Sequence, residues 1–132
     1  MVLAVDVGTV RVGVAASDPH RVLASPVETV PAPGLERVAA LVAERDAVLV
    51  VVGLPTSLSG RSDSASAQMS RDWVASFAEL VSVPVRLVDE RLTTVSATAA
   101  LRASGRSVKK SRAVIDQAAA VALLQGFLEG AG

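Results

Sequence analysis

The chain has 132 residues, of which 51% are hydrophobic, with thirteen basic and thirteen acidic side chains in balance and no cysteine. This suits one domain with a sizeable core, and it excludes disulfides, thiolate chemistry, cysteine-ligated zinc and any global field that would draw a polyanion. No apolar run is long enough to span a bilayer and the N-terminus lacks the basic flank of a signal peptide, so the expectation is a soluble cytoplasmic protein without a membrane partner.

The first stretch, Val2 to Asp18, reads VLAVDVGTVRVGVAASD. It predicts two strands joined by a tight turn at Gly8-Thr9. Alternation sets Val2, Ala4 and Asp6 on one face and Leu3, Val5 and Val7 on the other. A carboxylate thus shares a face with core residues, where it must be paired, hydrogen-bonded or bound to a metal. Asp18-Pro19-His20 reads as a turn, and Val22 to Val30 as a third strand of an antiparallel meander. Leu35 to Arg45 has the apolar spacing of a surface helix. Ala47 to Val52 is an uninterrupted aliphatic run, the pattern of a strand covered on both faces and placed parallel to the first. A loop from Gly53 to Arg61 leads to a helix capped by Ser62 or Asp63. Its stripe, Met69, Trp73, Phe77 and Leu80, is expected to run until Pro84. Val85 to Val88 predicts a fifth strand, with Asp89-Glu90-Arg91 at its end. Thr93 opens a helix to about Ala103, a basic loop covers Ser104 to Ser111, and a last helix runs from Arg112 to Leu128, leaving 130–132 to fray. The order βββαβαβαα describes an α/β fold, a mixed five-stranded sheet flanked by helices. Trp73 and Phe77 read as helix core, His20 as a surface residue and Asp18 as a turn residue.

Three acids stand out. Asp6 is the first. Asp116 is the second: its same-face neighbours on the last helix are Ala119, Ala120, Leu123 and Phe127, so a carboxylate interrupts an apolar stripe. An ion pair with Arg112 one turn earlier is the alternative role. Glu90 is the third, beyond the carboxyl end of a strand, where functional groups gather in open α/β sheets. Carboxylates converging without a local lysine cannot all remain ionised, so a divalent cation is the simplest partner. Oxygen-only ligation favours Mg²⁺ or Mn²⁺ over zinc.

DVGTVRVGVAASDP at 6–19, GLP at 53–55, DERLTT at 89–94 and IDQAAAVALLQGFL at 115–128 together resemble the YqgF family of small bacterial proteins. That family is described as Holliday-junction resolvases and as nucleases maturing the 5′ end of pre-16S ribosomal RNA. The resemblance covers the chain in order. It implies a single ribonuclease H-like nuclease domain over 1–132, strand order 3-2-1-4-5 with strand 2 antiparallel, and Asp6, Glu90 and Asp116 as metal-binding catalytic acids. The chain departs from the family pattern at Val10, at Ser96 and at Ser59-Gly60, none of which is one of the three acids.

With two ions on these acids, the expected chemistry is two-metal phosphodiester hydrolysis. Arg102, Arg106, Lys109, Lys110 and Arg112 form an acid-free basic stretch that contains both lysines of the chain. It would deliver phosphates to the site, its plainer role being a solvated loop. Gly8, Thr9, Arg11, Pro55 and Thr56 are further substrate contacts, with turn chemistry as the plainer role for Gly8 and Pro55; Arg91 either meets a phosphate or pairs with Asp89. The nucleic acid is a pre-rRNA, a branched DNA or both. A junction resolvase would work as a two-fold homodimer. Two other readings are weighed: a non-catalytic RNA-binding module, and a sugar-kinase or actin-like ATPase, for which this chain lacks the length of a second lobe.

Overall fold

The computed structural model describes residues 1–55, 65–89 and 112–130, with side chains of the last segment described from 117 to 129. In chain order the elements are β1 (Val2–Val7), β2 (Arg11–Ser17), β3 (Ala24–Pro31), α1 (Leu35–Glu44), β4 (Leu49–Leu54), α2 (Ala65–Phe77), β5 (Val85–Asp89) and α3 (Arg112–Gly130). The five strands form one sheet in the order β3-β2-β1-β4-β5. β2 runs antiparallel to β1 and β3, whereas β1, β4 and β5 are parallel. This is the order and the strand orientation that the sequence resemblance implies.

Both faces of the sheet are covered, and the alternation of β1 decides what meets each. Leu3 and Val5 pack with Val12, Val14, Val50 and Val52 against Val38, Leu41 and Val42 of α1 and Trp73 and Phe77 of α2. Val2 and Ala4 pack with Ala15 and Val51 against Ala120, Leu123 and Leu124 of α3. Small residues on the strands let the helix lie close, and each buried Leu or Val contributes about 1.5–3 kcal/mol. On α2, Trp73 and Phe77 stack with centroids 4.6 Å apart. The Trp73 indole donates to the Pro33 carbonyl at 2.7 Å, so it is a core residue, as its spacing predicts. Gly34 starts α1 at φ 60, where a Cβ would also meet the Val30 side chain at 2.5 Å.

Several boundaries differ from the sequence expectation. β3 begins at Ala24, because Asp18 captures the chain before it: its carboxylate accepts from the amides of Val22 and Leu23 at 2.7 and 2.8 Å. Those amides serve the turn, and the two side chains are exposed. β4 is shifted along the aliphatic run, since the Ala47 amide is bonded to the Val42 carbonyl and Leu49 is the first residue paired with β1. Gly53 and Leu54 therefore belong to the strand. α2 stops at Phe77, where the amides of Glu79 and Leu80 bond to carbonyls only three residues back. That tighter turn leaves Leu80 49% exposed instead of in the stripe. On α3, Ala119 is exposed while Ala120, Leu123 and Leu124 are buried, and the helix includes Gly130. The expected helix from Thr93 to Ala103 and the basic loop lie outside the described residues.

Candidate active site

Asp6 is the one charged side chain of β1, one residue from the carboxyl end of that strand, which has β2 on one side and β4 on the other. It continues the row of Val2 and Ala4, so it projects from the face covered by α3. Unlike those two fully buried residues, it is only half-buried. Its strand neighbours are distinctive. Across β2 it pairs with Gly13. On the other side, one step beyond the Val5 and Val52 pair, it is level with Gly53. The row extends outward to Thr29 on β3 and Val88 on β5. Asp6 is thus the central side chain of the row, between two positions without one.

The helix supplies the facing wall. Near the opposite end of the sheet, the Gln125 amide group bridges the chain just before β3, accepting from the Ala24 amide at 3.0 Å and donating to the Val22 carbonyl at 3.1 Å. Ala24 pairs with Ser17, whose hydroxyl accepts from the Val2 amide at 2.8 Å, so Gln125 is level with the start of β1. α3 packs along β1, β2 and β3. From Gln125 back to Asp116 it rises about 13.5 Å. From Val2 to Asp6 the strand rises about 13 Å. The two spans are of similar length.

The other predicted contacts divide in two groups. Gly8 and Thr9 form the β1–β2 turn with Val10. A Cβ on Gly8 would lie 2.5 Å from the Arg11 carbonyl oxygen, so any other residue would force the turn to shift. Thr9 is exposed. Arg11 opens β2 two residues before Gly13, on the same face as Asp6. Pro55 follows β4 and is half-buried. Asp89 ends β5 and already has an interaction partner. Thr56, Glu90, Arg91, Arg102, Arg106, Lys109 and Lys110 lie outside the described residues. Arg112 and Asp116 are positions along α3.

Sequence reasoning singles out Asp6, and Gly53 as part of a substrate-contacting loop, but gives Gly13 no role, although a glycine inside a strand signals a close approach. It also missed Gln125 and Ser17, whose roles depend on pairings between distant segments. Asp18, read as a turn residue, fills that role completely. The Leu23 amide foremost, with those of Val22 and His20, holds its carboxyl below the usual carboxylate range. Asp6 has an interaction partner of its own, and an all-oxygen donor set of the kind predicted would suit a hard divalent cation.

Comparison with known proteins gives one consistent picture. The family model described as "RuvX: Holliday junction resolvase" matches residues 1–130. A protein of Clavibacter michiganensis subsp. michiganensis (strain NCPPB 382), named "Putative pre-16S rRNA nuclease", is 52% identical, over 96% of this chain and 81% of its own length. A Streptomyces coelicolor protein of the same name is 53% identical, over 96% of this chain and 78% of its own. Among solved structures, Thermus thermophilus RuvC in complex with a Holliday junction substrate superposes with a TM-score of 0.63 at 15% identity, covering 98% of this chain and 94% of that one. The fowlpox virus resolvase bound to junction DNA gives 0.57 at 11% identity, over 98% and 97%. These likenesses establish the resolvase-like, RNase H-like fold.

Proposed function

The chain belongs to the RuvX family, and from that premise we propose that it is a metal-dependent nuclease, one RNase H-like domain over residues 1–132, that hydrolyses phosphodiester bonds in maturing the 5′ end of pre-16S ribosomal RNA. The substrate choice follows the names of relatives that are about half identical in sequence. One observation carries the catalytic reading: Asp6 holds a position on the central strand that packing alone would give to an aliphatic residue. Retaining a carboxylate there is costly unless its charge is used.

In this reading Asp6, Glu90 and Asp116 hold Mg²⁺ or Mn²⁺. When bound there, such ions would supply Lewis acidity toward the phosphodiester. The protein's part is positioning. β1 lies between β2 and β4, so the backbone that carries Asp6 is held in place. Arg11 offers a guanidinium on the same face, suited to a phosphate oxygen. Gly8 closes the turn that presents the Thr9 hydroxyl. Pro55, Thr56, Arg91, Arg106, Lys109, Lys110 and Arg112 complete the substrate contacts, the basic ones adding salt-sensitive affinity. Work on a ribosomal precursor would make the protein cytoplasmic. Among the described residues no helix is long and apolar enough to cross a membrane.

Resolution of branched DNA is the second reading, favoured by the family description. It requires a homodimer, so that two sites meet two symmetric strands. The test is incubation of the purified protein with Mn²⁺ on a model pre-16S leader and on a four-way junction, beside Asp6→Asn and Asp116→Asn. Cleavage of the leader that both substitutions abolish is the expected result. Symmetric cutting of the junction alone would transfer the function to DNA, and binding without cleavage of either would leave an RNA-binding module.

A further inference from the structure

On β2 Gly13 is paired with Asp6, and on β4 Gly53 is the next residue beyond the Val5 and Val52 pair. Directly opposite residues of an antiparallel pair hold their Cβ atoms about 4.5–5.5 Å apart, so a side chain at position 13 would lie against Asp6, and one at position 53 would flank it from the other strand. Both glycines are buried. They sit in strand interiors, where glycine is unfavourable by about 0.5–1 kcal/mol relative to alanine. Elsewhere on this face, the positions beside β1 carry side chains: Ala15 is paired with Ala4, and Val51 lies on its other side. The side-chain layer is missing only beside the carboxylate.

We infer that Gly13 and Gly53 are positioning residues for the metal ion, keeping clear the volume that a hydrated divalent cation needs beside Asp6. This rests on the reading of Asp6 as a ligand. Charge alone does not make such a site, because Mg²⁺ demands octahedral coordination at about 2.0–2.1 Å and keeps several of its waters. A methyl group on either neighbour would occupy the space of those waters without altering any ligand. The competing role for the glycines is close packing of α3 on the sheet, and it predicts a different response.

The experiment is Mn²⁺ titration followed by electron paramagnetic resonance in the absence of nucleic acid, together with metal-free thermal melting, for the unaltered chain and for Gly13→Ala, Gly53→Ala and Asp6→Asn. The expected result is at least a tenfold loss of Mn²⁺ affinity in each glycine variant, with a metal-free melting temperature within a few degrees of the parent. Unchanged affinity in both folded glycine variants, with affinity lost in Asp6→Asn, overturns the inference and leaves Asp6 as a ligand. A variant that melts more than about 10 °C lower without metal, or fails to fold, overturns it in favour of helix packing. Retained affinity in Asp6→Asn, or no binding by the parent, removes the reading of Asp6 itself.

Discussion

Single side chains at the two ends of β2 do opposite work, and each makes a prediction. At the site end, exchanging the Asp6 carboxylate for the isosteric amide in Asp6→Asn removes a negative ligand with little change in volume. Cleavage should fall by at least about 100-fold while the circular dichroism spectrum is retained. Gly8→Ala acts through the backbone, since the added methyl lies 2.5 Å from the Arg11 carbonyl oxygen and the turn must open. The expected cost is about 1–3 kcal/mol in urea unfolding, with a larger loss in turnover than a stability change of that size explains. At the far end, Asp18 is half-buried and accepts three backbone amides. Because those bonds lower its folded-state pKa, its contribution to stability is complete above the unfolded carboxylate value and disappears as pH falls through the folded one. Melting of the parent and of Asp18→Ala between pH 6 and pH 2 should show a gap that narrows only below the ordinary carboxylate range. The Asp18 turn was legible because aspartate before proline has that local chemistry. The glycines beside Asp6 gained meaning only once strands distant in sequence were paired.

At the scale of elements, periodicity located every described strand and helix and misjudged their ends. The aliphatic run around β4 has no internal mark to say which residues are paired, and a bond from Val48 to the Met1 carbonyl sets the start instead. For α2 the stripe continued on paper to Leu80, whereas backbone bonds of shorter span ended the helix after Phe77. Its anchoring is testable. Trp73→Phe keeps most of the buried ring and loses the bond to Pro33, so about 1 kcal/mol of stability should go, whereas Trp73→Ala should lose about 3–5 kcal/mol. Denaturant unfolding of the two variants would separate the hydrogen bond from the packing. An equal loss in both would mean that the indole N–H, not the ring volume, fastens α2 to the chain entering α1.

For the molecule as a whole, the strand order and the two-faced burial follow from a few readable features: one antiparallel meander, one fully aliphatic strand and one long helix with an apolar side. The candidate site was legible to the extent that a charge in apolar company is conspicuous, which holds for Asp6 and for Asp116. Glu90 and the basic stretch lie beyond what the structure describes. The tie between Gln125 and the backbone at Val22 and Ala24 has a mechanical meaning for the whole fold. On the proposed function, α3 acts as a lever held at Gln125, with the candidate ligand Asp116 toward its tip. Over a reach of about 13.5 Å, a swing of about 4° carries the tip 1 Å. Gln125→Ala should therefore depress kcat several-fold with only a small rise in KM, an orientation error transmitted from the pole farthest from the chemistry.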